Sequence, residues 1–139
     1  MKIMGIDLGK ARTGIAISDI TESFAFPNCV ITEYNEDKMV LKVCEKIKEL
    51  SPELLVIGLP KNMDGSEGFR AEECRIAASK IAEASGKKIV MWDERCTTIS
   101  AHTVLNMNDT RGKKRKETVD AVAAVMILED YLNFRKNKK

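Results

Sequence analysis

Between Pro52 and Pro60 the chain runs Leu54-Leu-Val-Ile-Gly58, apolar without a break. The run has the length of a strand, not of a helix, and it has no polar face. A strand of this kind belongs inside a parallel sheet whose two faces are both covered. This one feature demands further parallel strands beside it and helices above and below. Lys88-Ile-Val-Met-Trp92 supplies a second such strand. The stretch between them regains helical character at Phe69 and stops near Gly86, a glycine suited to a helix C-terminus. Strand, helix and strand in that order make a parallel pair with a crossover.

The chain opens differently. Residues 2–8 read as a short, mostly apolar strand, Gly9 to Thr13 as a turn, and Gly14-Ile-Ala-Ile-Ser18 as an alternating strand, which together form a hairpin. Phe24 to Thr32, rich in Val, Ile and Phe, adds a third strand, with Pro27 at its start or edge. Asp37 then caps a helix whose Val40, Val43, Cys44 and Ile47 fall on one face, and Pro52 closes it. Thr97 or Thr98 starts a further helix carrying Val104 and Leu105. The residues from Asn106 to Lys116 lack apolar periodicity and read as a mobile basic loop, centred on about 107–116. A last helix spans roughly Glu117 to Phe134. The expectation is an α/β fold. Three antiparallel strands lead into parallel ones, in a mixed sheet flanked by helices.

At 139 residues the chain is expected to form a single domain, residues 1–139. No apolar run approaches the ~18 residues of a membrane span. A carboxylate at position 7 argues against a secretory signal, and no fixed-period repeat appears. The cysteines, Cys29, Cys44, Cys74 and Cys96, form no Cys-x-x-Cys pair, and the single histidine is His102. That pattern excludes a clustered zinc site and suits thiols in a reducing cytoplasm. Charge is uneven: residues 1–110 carry a net −3 and residues 111–139 a net +5. Such asymmetry points to a polyanionic partner at the C-terminal end, or to a solvated helix end and tail.

Three acidic positions stand out. Asp7 ends the first strand, Asp93-Glu94 ends the last one, and Asp120 lies early in the final helix among Val119, Ala121, Val122, Ala123 and Ala124. In α/β sheets ligands gather beyond the carboxyl ends of the strands. Asp7 and Glu94 would face one crevice there, with Asp120 brought over it. Mg²⁺ is a hard cation bound by one or two carboxylates together with substrate phosphate oxygens. A pair of such ions ~3.5–4 Å apart can activate water and stabilise the leaving oxygen of a phosphodiester. Each residue also has a plain alternative: Asp7 in a turn, Glu94 as ion-pair partner of Arg95, and Asp120 against a helix dipole.

The ordered segments Gly5-Ile-Asp-Leu-Gly-Lys-Ala-Arg-Thr-Gly-Ile-Ala-Ile-Ser-Asp19, Val56-Ile-Gly-Leu-Pro60 with Met63-Asp-Gly-Ser-Glu-Gly68, Asp93-Glu-Arg-Cys-Thr-Thr98 and Val119-Asp-Ala-Val-Ala-Ala-Val-Met-Ile-Leu128 span nearly the whole chain. As a set they resemble the YqgF (RuvX) family of ribonuclease H-like nucleases. The resemblance implies a ribonuclease H-like, five-stranded mixed sheet and a metal-dependent phosphodiesterase. It implies a role in maturing the 5′ end of 16S ribosomal RNA or, by similarity to RuvC-type resolvases, an action on Holliday junctions. It carries the catalytic and metal-binding roles to Asp7, Glu94 and Asp120, with Mg²⁺ or Mn²⁺, two ions when substrate is bound. Cys96 departs from the aliphatic residue usual at its position.

Among the basic residues, Arg12 and Arg95 have two readings each: phosphate contact, or a surface arginine and an ion-pair partner of Asp93 respectively. Arg111, Lys113, Lys114, Arg115 and Lys116 place five cations within six positions, a run that can grip phosphates. The expected partner is ribosomal RNA precursor or branched DNA, and not a membrane, bound by a cytoplasmic monomer or homodimer. Two competing readings are a non-catalytic nucleic-acid-binding module and an actin-like nucleotide-binding lobe. The second needs two lobes, which a single domain of this length supplies only by dimerising.

Overall fold

The computed structural model describes residues 1–9, 11–60, 67–93 and 112–138, the helical residues 112–121 and Lys138 through their backbone alone. Five strands form one sheet: β1 (Ile3–Leu8), β2 (Arg12–Ser18), β3 (Ala25–Thr32), β4 (Leu54–Leu59) and β5 (Lys88–Asp93). Their spatial order is β3-β2-β1-β4-β5. β1 and β2 are antiparallel, with Gly5 opposite Ala16 and Asp7 opposite Gly14. β3 extends the antiparallel half, while β4 runs parallel to β1 and β5 parallel to β4. The uninterrupted apolar run is β4, buried at all six positions.

Side chains alternate across the sheet and sort into two cores. Met4, Ile6, Leu8, Ile15, Leu55 and Ile57 pack under α1 (Glu36–Leu50) and α2 (Phe69–Ser85). Ile3, Ala16, Leu54 and Val56 pack on the other face against Ala124, Ile127, Leu128, Tyr131 and Leu132 of α3 (Gly112–Lys138). α1 buries Met39, Val40, Val43 and Ile47, the face its spacing predicts. Its N-cap is Asn35, not Asp37: the Asn35 side chain accepts from the Lys38 amide at 3.0 Å, and Asp37 lies inside the first turn, where a carboxylate suits the helix dipole. Ser51 ends α1 in a left-handed conformation, φ 52°, one residue ahead of Pro52. Gly86 ends α2 with φ 70°, as its position predicts.

Two boundaries depart from the sequence reading. β2 begins at Arg12 instead of Gly14, because Arg12 and Thr13 pair with Thr32 and Ile31 of β3 and so join the ladder. α3 begins at Gly112, so Lys113, Lys114, Arg115 and Lys116 are helical in backbone and not part of a loop. Lysine and arginine propagate a helix well even where no apolar face guides them. The helix expected from Thr97 or Thr98 and the rest of the basic loop lie outside the described residues, as does Cys96. Pro27 lies on the edge strand, beside a bulge at Ile15/Ala16, the kind of place where a proline is tolerated in a sheet.

The far end of α3 is tied down. Arg135 Nε donates to Glu22 at 2.7 Å, and the other Glu22 oxygen meets the Met1 ammonium at 3.3 Å. Burial pushes the Glu22 carboxyl up, but the hydrogen bonds from Arg135 and the N-terminus outweigh it and hold it below the usual carboxylate range. Trp92 of β5 packs its ring edge-on against Tyr131, with centroids 5.4 Å apart, and against Phe134 at 5.3 Å.

Candidate active site

Asp7 belongs to the α3 face of β1, since Ile3 and Gly5 precede it at spacings of two and Ile3 is in the α3 core. It is half-buried. Its partner across the hairpin is Gly14. On the other side, one register step beyond the Ile6–Ile57 pair, stands Gly58 of β4. Neither neighbouring strand therefore sets a side chain directly beside the carboxylate. β1, β4 and β5 run parallel, so Asp7, Leu59 and Asp93 all lie at the carboxyl edge of the sheet, with Leu59 paired to Asp93. Glu94 follows Asp93 directly and lies outside the described residues, as do Arg95 and Arg111.

Gly5 decides where α3 sits. A Cβ on Gly5 would stand 2.9 Å from the Ala124 carbonyl oxygen and 2.9 Å from Leu128 Cβ, so the helix touches bare backbone. Arg135 at the other end of α3 reaches Glu22, which Met1 also contacts, so α3 runs antiparallel to β1. Position 120 lies one turn before Ala124, a step of ~6 Å along the helix. Asp7 lies two residues beyond Gly5, ~6–7 Å along the strand in the same direction. Residues 113 apart in sequence thus share one end and one face of the sheet. Among the described residues no three His, Cys, Asp or Glu side chains gather as metal ligands; the side chains at 94 and 120 are outside that description.

Arg12 opens β2 on the same face as Gly14 and Ala16, hence on the Asp7 side. The tight turn before it is closed by the Gly9 amide donating to the Arg12 carbonyl at 2.9 Å. A Cβ at Gly9 would collide with that carbonyl oxygen, so glycine is required there. Arg70 was not foreseen from the sequence. Its guanidinium donates to the carbonyl of Leu8 at 3.1 Å and to Glu73 at 3.2 Å, bracing the end of β1 from the opposite face. No local pattern announces a contact between residues 62 apart. A cavity of about 180 Å³ opens beside it, lined by Gly9, Glu33, Tyr34 and Arg70 among others, across the sheet from Asp7.

Solved structures share this architecture. RuvC of T. thermophilus in complex with a Holliday junction substrate superposes with a TM-score of 0.63 at 14% identity, covering 99% of this chain and 96% of that one. The fowlpox virus Holliday junction resolvase gives 0.57 at 14% identity, covering 96% and 99%. The fold is thus ribonuclease H-like, of the type seen in these resolvases. The family model described as "RuvX: Holliday junction resolvase" matches residues 1–134. A protein of Thermoanaerobacter pseudethanolicus named "Putative pre-16S rRNA nuclease" is 37% identical over 139 residues, covering 99% of this chain and all of that one. One of the same name from Listeria monocytogenes serotype 4b is 42% identical over 135 residues, covering 96% and 98%. The chain belongs to the RuvX family, and with it to the hydrolases that act on nucleic acid.

Proposed function

We propose that the protein is a metal-dependent nuclease of structured nucleic acid, working as one domain in the cytoplasm, and that its reaction is the processing of the 5′ end of pre-16S ribosomal RNA. The observation that carries this reading is Asp7 at a strand end, flanked by glycine on both neighbouring strands and facing the end of α3 that bears position 120. The substrate follows from the names of the relatives. The residue types fit a hard cation: carboxylates are the oxygen donors Mg²⁺ and Mn²⁺ favour, and the neighbouring strands set glycine, not a side chain, beside Asp7. Asp7, Glu94 and Asp120 would hold the metal. Bound there, divalent ions supply Lewis acidity and a readily ionised water. Asp7 itself is set by the β1–β2 ladder, so it needs little reorganisation to act.

The family description and the RuvC neighbour favour a second reading, resolution of four-way DNA junctions. Purified protein offered precursor 16S RNA and a four-way junction side by side, with Mg²⁺ or Mn²⁺ and then with EDTA, separates the two. Metal-dependent cutting of the RNA supports the first reading, and preference for the junction supports the second. Tight binding of either without cleavage would make the protein a binding module.

The basic run contributes affinity in this scheme. Each phosphate contact lowers log affinity by roughly 0.7–0.9 per unit of log salt. Replacing Lys113, Lys114 and Lys116 with Ala is expected to weaken binding across sequences and to flatten that slope by ~2–3 units, with less effect on the chemical step. An unchanged slope would place the polyanion contacts elsewhere.

A further inference from the structure

We propose that Arg12 holds the reacting phosphate through its Nε–H. The inference rests on the nuclease reading and deepens it. Arg12 Nε is shielded from solvent and has no hydrogen-bond acceptor among the described residues. A guanidinium donor carries charge, and leaving one buried without an acceptor costs free energy that a native fold rarely leaves uncompensated. Such a cost persists where a ligand removes it.

Its position says which ligand. Arg12 stands on the α3 face of β2, two residues before Gly14, and Gly14 is the direct cross-strand partner of Asp7. A side chain at position 14 would stand between the two, and glycine places none there. The Arg12 backbone is held by the turn with Gly9 on one side and by pairing to Thr32 of β3 on the other. The guanidinium is therefore rooted in the rigid antiparallel half of the sheet. A substrate that presents an oxyanion beside Asp7 also presents one to Nε, and the phosphodiester is that oxyanion. Arginine suits the task because its planar donors match phosphate oxygens in a way a lysine ammonium does not.

The inference makes an unusual demand: removing the arginine should harm function without harming the fold. The test uses the full chain with Arg12→Met and Arg12→Lys. Melting temperature is read without nucleic acid. Affinity for a four-way DNA junction and for an RNA hairpin is read in EDTA across a salt series, so that binding is scored whether or not cleavage occurs. Arg12→Met is expected to melt at or above the wild-type temperature, since it removes an unsatisfied donor. It should bind roughly tenfold more weakly, the loss of one charge-assisted hydrogen bond. Its salt slope should be flatter by about 0.7–0.9, one phosphate contact. Arg12→Lys should keep the slope and still bind more weakly than wild type. Wild-type affinity and slope in either variant would overturn the proposal. So would a lowered melting temperature in Arg12→Met with affinity unchanged, which would make Arg12 an internal tie. Binding that depends on Arg12 in a wild-type protein that never cleaves would sink the nuclease reading and leave the phosphate contact standing. Failure of the wild-type protein to bind either probe at low salt would overturn both.

Discussion

Asp7→Asn is expected to abolish cleavage while the protein still folds and still binds nucleic acid. The substitution keeps size and much of the hydrogen-bonding capacity of the side chain, and Asp7 is half-buried opposite Gly14. What it removes is the negative charge that a divalent cation requires. Loss of charge stabilisation worth several kcal/mol in the transition state corresponds to a rate lower by ~10³-fold or more. The measurement is single-turnover cleavage with saturating Mg²⁺ or Mn²⁺, alongside melting temperature and affinity in EDTA. A wild-type rate in metal-replete Asp7→Asn protein would remove Asp7 from the chemistry. A large fall in melting temperature would mean that the carboxylate is structural.

Gly5→Ala should unsettle both the fold and the site. The new Cβ would lie 2.9 Å from a backbone oxygen of α3 and 2.9 Å from Leu128 Cβ. Neither atom is the end of a flexible chain that can swing aside, so the helix has to lift. Overpacking of this kind costs ~1–3 kcal/mol. The gain from restricting the unfolded chain, about 0.4–1 kcal/mol, offsets only part of it. A melting temperature lower by roughly 3–10 °C follows for a domain of this size. Cleavage should fall as well, because the same helix carries position 120, one turn from the contact. Calorimetry and cleavage on Gly5→Ala check both effects. A variant that melts and cuts like wild type would show that α3 is not seated on β1.

Much of this was legible in the residues. The uninterrupted apolar run at 54–58 announced β4, and its burial on both faces follows from having no polar side. Val40, Val43 and Ile47 announced the inner face of α1, and Gly86 the end of α2. These are local properties: periodicity, capping and left-handed conformations depend on neighbours in sequence, and the chain carries them wherever it goes. Asp7 at a strand end was readable for the same reason. Less local features were misjudged or invisible. Arg12 and Thr13 joined β2 because β3 offered partners. The start of α3 reached back to Gly112 through residues with no apolar pattern to mark them.

The site itself is a tertiary product. That Gly14 and Gly58 flank Asp7 depends on strand order and register, which no single strand encodes. That α3 lies against Gly5, and so brings position 120 to the end where Asp7 stands, depends on a backbone contact between residues more than 100 apart. The sequence by itself determined which segments become strands and helices and where the acidic residues lie along them, because those are short-range energetics. Only the tertiary structure decided that Asp7, Arg12 and position 120 share one face: strand register sets Asp7 and Arg12 together and the packing of α3 brings position 120 to them, because side-chain shape and burial select among the arrangements that the same local elements allow.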